Sequence, residues 1–532
     1  MPEMTGGQAL IKSLTREGVK VIFGLPGVQM YEAINPIADE PGLRFITARH
    51  EQATAYMADG YARASGKPGV CMVVPGPGLL NASAAIGSAF AASSPILVVA
   101  GQIPKDNIGK DVGLLHEVND QMVAIQQVTK AAYRMLDPKE VPATIHEAFK
   151  QLRTGRPRPV EVEIPPDTLA EVADIDLFEP GDYGRHSASK DQVDEAARIL
   201  AQAKDPVIWA GGGVISSGGT EALTRIAEHL QAPVQVTHEG KGAIDERHYL
   251  SRGALKTRTD TLREELKKHD VILAVGTRFA AVFPDPAQRV VQIDIDPEEL
   301  GRNHENTYGV LGDAGETLAA LEAQLTSTTE PRASRQAEME EWRKARFSHG
   351  RLEPQDGFNE ALRRSIPEDG ILIAGMTQLG YYGRLYYPVY EPGTYLNSSY
   401  FGNLGFAYPT ALGVKVAKPD TPVVVISGDG GFMFNSSELA TAVQYNINVV
   451  LVVFNDNAFG NVMRDQKDRY GENRVVGSQL HNPDFVKLAE AYGARGVRAE
   501  TPAALEQAVR EAITIDAPTL IEVPVGPMPS PF

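Results

Sequence analysis

Short apolar runs alternate with helical stretches along most of the chain. Val21 to Phe23 reads as the core of a strand, closed by the turn Gly24-Leu25-Pro26-Gly27. Leu43 to Ile46, Val70 to Val74 and Ile96 to Val99 read as further strands, and Val160 to Ile164 as the closing one. Between them, Glu51 to Ala64 and the small-residue run Asn81 to Ala92 carry helical patterns. Brief apolar strands separated by helices predict parallel α/β packing.

The same pattern recurs twice. Leu169 to Lys190 is acidic, polar and broken by Pro and Gly, as a linker is. Val207 to Ala210, Val234 to Val236, Val271 to Val275 and Val290 to Ile295 then predict a second unit, with Gly211-Gly212-Gly213 opening a helix. Thr326 to Ser348 is polar and charged and predicts a connector, with room for a solvated helix, before a third unit near Gln355. There, Ile371 to Ala374, Val423 to Ile426 and Val449 to Phe454 predict strands, and Gly405 to Val416 and Ser436 to Tyr445 helices. The expected fold class is α/β, with three consecutive doubly wound parallel-sheet domains over 1–168, 188–325 and 355–527. The first and third units match in length and style, which suggests duplication without a visible sequence repeat.

Composition narrows the partners. Apolar residues make up 43%, enough for real cores. Lys and Arg total 51 against 68 Asp and Glu, a net charge of −17, which argues against nucleic acid or an anionic membrane as partner. Cys71 is the single cysteine and allows no internal disulfide. The N-terminus has no secretory pattern, and no run of ~20 apolar residues suggests a spanning helix, so the expected address is the cytoplasm.

Two polar clusters follow apolar strands in the third unit: Gly428-Asp429-Gly430-Gly431 and Asn455-Asp456-Asn457. In open α/β sheets ligands bind beyond the carboxyl ends of strands. Glycines let the backbone approach a diphosphate, and a hard cation such as Mg²⁺ takes oxygen ligands shared with phosphate. Asp429 offers one carboxylate, and an Asn or Asp of the second cluster another. In the first unit, Arg49-His50-Glu51-Gln52-Ala53 opens a helix with a carboxylate.

Together these stretches resemble the thiamine-diphosphate-dependent enzymes, whose signature is Gly-Asp-Gly followed roughly two dozen residues later by Asn-Asn or a variant. The resemblance covers nearly the whole chain and is strongest to the acetolactate-synthase-like group. It implies that Asp429, Asp456 and the carbonyl of Ala458 hold the metal. Asp456 lies 27 residues after Asp429 and stands where the family usually has Asn, so Asn455 stays open as an alternative. It implies that Glu51 bonds N1′ of the cofactor's aminopyrimidine and so activates C2 of the thiazolium. Pro26, and Gly76 and Asn81 of Pro75-Gly76-Pro77-Gly78-Leu79-Leu80-Asn81, would lie beside the pyrimidine. Met376, Thr377 and Gln378 would meet the diphosphate, and Leu404 would prop the cofactor in its bent form.

The resemblance also implies a 2-oxo acid substrate, decarboxylated and then protonated or joined to a second carbonyl. The alternative is a simple 2-oxo acid decarboxylase, or a lyase or hydrolase acting on a diketone or 2-hydroxyacyl compound. The group's central domain is matched by Lys241-Gly242-Ala243, Gly276-Thr277-Arg278-Phe279 and Gln292-Ile293-Asp294-Ile295-Asp296. Ala280-Ala281-Val282 replaces the acidic-basic run there, which argues against FAD and for a cofactor-free domain. Leu114-Leu115-His116-Glu117 stands where true acetolactate synthases carry a Phe-Gln pair, and the substrate-selecting tryptophan after Asn457 is absent. His116 is therefore a candidate proton donor or acceptor. Val28 is apolar where benzoylformate decarboxylases carry serine. The resemblance implies a homodimer or dimer of dimers, a homotetramer, with sites shared between chains. A nucleotide-binding or regulatory protein is the reading from another class; Gly211-Gly212-Gly213 lacks the dinucleotide spacing it would need.

Overall fold

The computed structural model describes residues 2–256, 259–280, 282–348 and 351–531. Three six-stranded sheets, each parallel throughout, follow one another along the chain. The first runs Arg44–Thr47, Val21–Gly24, Gly69–Val73, Ile96–Gly101, Val160–Ile164, Ala131–Arg134 across the sheet. Counted in chain order this is 2-1-3-4-6-5. The third runs Tyr395–Asn397, Ile371–Ala374, Val423–Gly428, Val450–Asn455, Thr519–Pro524, Arg495–Arg498, the same 2-1-3-4-6-5. The central sheet differs, with Pro206–Ala210, Val234–Val236 and Ser251–Ala254 on one side and Val271–Val275, Arg289–Asp294 and Thr307–Leu311 on the other, an order of 3-2-1-4-5-6. Shared strand order supplies the repeat that the residues themselves hide.

Several boundaries differ from the sequence expectation. Val160–Ile164 is last in the chain but lies inside the sheet, with Ala131–Arg134 at the edge. The helix expected from Asn81 begins at Pro77 and runs to Ala91, because proline at a first helical position loses no bond it could have made. The helix expected from Gly405 begins at Ala407, after Gly405 has taken a left-handed φ of 82°. The expected linker starts with the strand Val172–Asp174, which pairs antiparallel with Glu3–Thr5. In the connector, helix Gln336–Ser348 buries Met339 in the central core, so one face is not solvated.

The first and third domains share one continuous core. Ala53, Tyr56, Met57 and Ala58 of the Glu51 helix (Glu51–Ser65) join Phe406, Tyr408, Ala411 and Leu412 around helix Ala407–Ala417. Glycine permits this. A Cβ on Gly60 would fall on the Thr410 carbonyl oxygen, and one on Gly413 would fall on the Met57 carbonyl oxygen. The two helices therefore pack backbone on backbone within one chain.

Gly413→Ala tests this contact by its sign. Alanine is favoured over glycine inside a helix by about 1 kcal/mol, whereas overpacking costs about 1–3 kcal/mol. The variant is expected to unfold at lower denaturant concentration than the wild type; a stabilised variant would contradict the contact.

Candidate active site

In a 2-1-3-4-6-5 sheet the chain reverses direction between strands 1 and 3, and the crevice beyond their carboxyl ends is where ligands bind. In the third domain those strands are Ile371–Ala374 and Val423–Gly428. The first leads through Met376 and Thr377 into helix Gln378–Tyr386, and the second through Gly428 into the short helix Asp429–Met433. The two turns touch: Gly375 N–H donates to the Ile426 carbonyl at 2.8 Å, and a Cβ on Gly428 would lie 3.4 Å from Thr377 Oγ1. Two helix N-termini thus meet at one crevice, the positive ends of their backbone dipoles suited to an anion.

Strand Val450–Asn455 is the next neighbour and brings Asp456 to the same end. Asp429 is 1% exposed. Burial raises its carboxyl above the ordinary aspartate range, against the backbone N–H of Gly430 and the Asn482 amide. Burial first, and the neighbouring Asp429 second, push Asp456 up to about 6. Two carboxyls held together out of water are unfavourable unless a cation lies between them. The donor set therefore fits a hard divalent ion and the diphosphate it would carry.

The neighbouring side chains of the second cluster point different ways. Asn455 turns inward: its Nδ2 donates to Glu522 Oε1 at 2.9 Å, and its Oδ1 accepts from Asn457 N at 3.2 Å. Asp456 instead faces Asp429, and its Oδ1 accepts from Ala458 N at 3.2 Å. Asn457 holds a left-handed φ of 53° between them, which asparagine tolerates. Sequence reasoning missed Asn482. Its Nδ2 reaches Asp429 Oδ2 at 2.6 Å, Asn455 Oδ1 at 3.0 Å and Asn457 Oδ1 at 3.3 Å, tying the clusters together. Gln378 accepts from Arg464 at 2.9 Å, and Leu404 lies over Gly431. Gly430 packs against Phe459.

The first domain presents its own reversal point. Strand Val21–Gly24 leads through Pro26 to Gln29, and strand Gly69–Val73 leads through Gly76 to the helix bearing Asn81. Asn81 Nδ2 donates to Glu51 Oε2 at 3.0 Å, leaving the carboxylate partly open. His116 adopts a left-handed φ of 68°, and its carbonyl sits where a Cβ on Gly76 would be. Glu51, Gly76, Asn81 and His116 therefore gather at one sheet end.

The two ends are joined across the domain boundary. Arg49 N–H donates to both Glu438 oxygens, at 3.0 and 3.2 Å. Asn435 reaches Gln52 Oε1 at 3.3 Å, and Asn403 bonds the Tyr56 hydroxyl at 2.9 Å and the Ala84 carbonyl at 2.7 Å.

Comparison with known proteins decides the family. Residues 4–127 match the thiamine pyrophosphate enzyme N-terminal TPP binding domain, 193–321 the central domain, and 375–523 the C-terminal TPP binding domain. The chain belongs to the thiamine pyrophosphate enzymes. It is 35% identical to a probable acetolactate synthase large subunit of Methanocaldococcus jannaschii, over 98% of this chain and 92% of that one. It is 34% identical to a probable 2-ketoarginine decarboxylase of Pseudomonas aeruginosa, over 98% and 94%. Acetolactate synthase isozyme 3 large subunit of Escherichia coli is 32% identical, over 96% and 93%.

A second cleft of about 1840 Å³ in this thiamine pyrophosphate enzyme lies among the domains, lined in part by Arg156, Gly211, Gly212, Thr277, Arg278 and Asp313. The expectation of a cofactor-free central domain thus meets a space large enough for a nucleotide. Ala281, on which part of that expectation rested, lies outside the described residues. No helix among the described residues is long and apolar enough to cross a membrane.

The acid pair predicts a pH-dependent stability. A carboxyl whose folded pKa is raised stabilises the fold least above that pKa, so the metal-free chain loses stability as pH rises from about 4 to about 6. Asp456→Asn should remove that loss and also shrink the stabilisation by Mg²⁺ with thiamine diphosphate. Thermal melts across pH and Mg²⁺ measure both; a wild-type profile in the variant would contradict the pairing.

Proposed function

We propose that this chain acts on a 2-oxo acid, decarboxylating it and joining the remaining acyl unit to a second carbonyl, a reading in keeping with its likeness to proteins named acetolactate synthases. The observation that carries this reading is the division of labour between two matching sheet ends. One holds Glu51 with Asn81; the other holds the Asp429–Asp456 pair beneath two helix N-termini. Bound thiamine diphosphate supplies an acidic C2 carbon that attacks the carbonyl beside the carboxylate. Glu51 would hold a proton at N1′ of the pyrimidine, and Asn81 would keep its carboxylate turned to that task. Asp429, Asp456 and the Ala458 carbonyl would hold Mg²⁺. Gly428, Gly430, Gly431, Met376, Thr377 and Gln378 would take the diphosphate, with Pro26 and Gly76 beside the pyrimidine. Leu404 would exclude water and support the rings. His116 would exchange a proton with the substrate.

A second reading is decarboxylation without ligation. Two observations favour it: His116 lies at the same sheet end as Glu51, its carbonyl against Gly76 and its ring 3.0 Å from Gln29, and one relative is named a probable 2-ketoarginine decarboxylase. Product analysis separates the readings. With thiamine diphosphate, Mg²⁺ and pyruvate, acetolactate is expected; acetaldehyde alone, or CO₂ release only from larger 2-oxo acids, would replace ligation by decarboxylation.

The proposed working unit is a dimer whose sites take Glu51 from one chain and Asp429 from its partner. Leu80, Leu115, Val123, Met433 and Phe434 support it, because all are apolar and 41–62% exposed in the single chain. Mixed Glu51→Gln and Asp429→Asn subunits then form one doubly defective site and one intact site per heterodimer. Activity should partly return on mixing. Subunit exchange proven by mass spectrometry with no return of activity would sink the shared site.

A further inference from the structure

Gln29 is a buried side chain that neither motif nor resemblance singles out. It is 7% exposed, on the one-turn segment Val28–Met30 beyond the first strand of the N-terminal sheet. Both ends of its amide are used. Nε2 donates to the Leu115 carbonyl at 3.0 Å, and Oε1 lies 3.0 Å from His116 Nδ1. A backbone carbonyl can only accept, so the amide cannot be flipped without setting two acceptors against each other. Oε1 therefore faces the ring, and Nδ1 must carry the hydrogen.

The loop is held rigidly enough for this to matter. The Glu117 carboxylate accepts from Leu114 N at 2.8 Å and Val112 N at 3.3 Å. Those N–H groups, the Leu114 one foremost, hold its carboxyl below the ordinary range. From below, the His116 carbonyl rests on Gly76. Gly76 N–H in turn donates to Gln121 Oε1 at 2.9 Å, and Gln121 Nε2 donates to the Gly101 carbonyl at 2.7 Å. Two buried glutamines thus fix the His116 backbone and one face of its ring.

We propose that Gln29 is a positioning residue that holds His116 as the Nδ1–H tautomer, so that Nε2 of the neutral ring is the proton acceptor. This rests on the reading of His116 as a residue acting at the substrate, and it settles the direction that the sequence leaves open. A substrate hydroxyl would pass its proton to Nε2. The ring would become a cation with N–H on both sides, still bonded to Gln29 Oε1, and would return the same proton later. With the opposite tautomer Nε2 would already carry hydrogen and could not accept.

The test is ¹⁵N NMR of histidine-labelled holoenzyme with thiamine diphosphate and Mg²⁺, the His116 signals being assigned by their loss in His116→Gln. At a pH where the ring is neutral, the wild type should show hydrogen on Nδ1. Gln29→Leu keeps the bulk and removes both bonds, so Nε2–H should appear. Gln29→Glu loses the bond to the Leu115 carbonyl but keeps an acceptor for Nδ1–H, and should therefore keep hydrogen on Nδ1. Gln29→Leu should lower kcat by about 10-fold or more, towards the ~10² expected for losing a positioned base, with little change in KM. Gln29→Glu should recover most of that loss. Nε2–H in the wild type, or an unchanged tautomer in Gln29→Leu, would overturn the assignment to Gln29. If His116→Gln turns over substrate like the wild type, the reading of His116 fails instead, whatever its tautomer.

Discussion

The placement of the two sheet ends within each chain depends on two helices meeting without side chains between them. Gly60 against the Thr410 carbonyl and Gly413 against the Met57 carbonyl bring the Glu51 helix and helix Ala407–Ala417 into backbone contact. That contact fixes the first domain on the third, and it does so next to the chemistry. The Glu51 helix starts where Arg49 meets Glu438 and Gln52 meets Asn435. Any side chain on either glycine would wedge the domains apart and, in the proposed dimer, disturb both sites to which one chain lends Glu51 and Asp429. Close-packed interiors transmit such shifts rather than absorbing them.

The second constraint is topological. Two sheets of the same 2-1-3-4-6-5 order place their reversal points at equivalent places, and the residues there have diverged in kind. The third domain puts carboxyls and helix N-termini at its reversal point, a setting for a cation and an anion together. The first puts amides and a single open carboxylate there: Gln29, Asn81 and Glu51. One end suits charge held in place, the other suits a proton moved between nitrogen and oxygen. The central domain, with a different strand order and its own core, stands outside this pairing.

Much of this was legible in the residues. Interior strands are buried on both faces and read as apolar runs, so Val70 to Val74, Val271 to Val275 and Val423 to Ile426 stood out. Three edge strands do not: Ala131–Arg134, Thr307–Leu311 and Arg495–Arg498 are partly solvated and mixed in character. Thr519–Pro524 was hidden by Glu522, a buried carboxylate that bonds Asn455 and Arg498. Asp429, Asp456 and Glu51 carried local spacing and could be named. Asn482, Gln29 and Gln121 act through bonds to residues distant in sequence, and no local pattern marks a side-chain amide for such a role. The pattern over Gly405 to Val416 marked a helix, but not that it packs on the Glu51 helix of the same chain.

The most direct measurement is a calorimetric titration of thiamine diphosphate into the metal-free chain, with and without Mg²⁺. The acid pair at the Asp429 end predicts saturable binding of one cofactor per chain that requires the divalent ion, since the diphosphate would otherwise meet two carboxylates. Absence of binding in the presence of Mg²⁺, or equal affinity without it, would contradict the account.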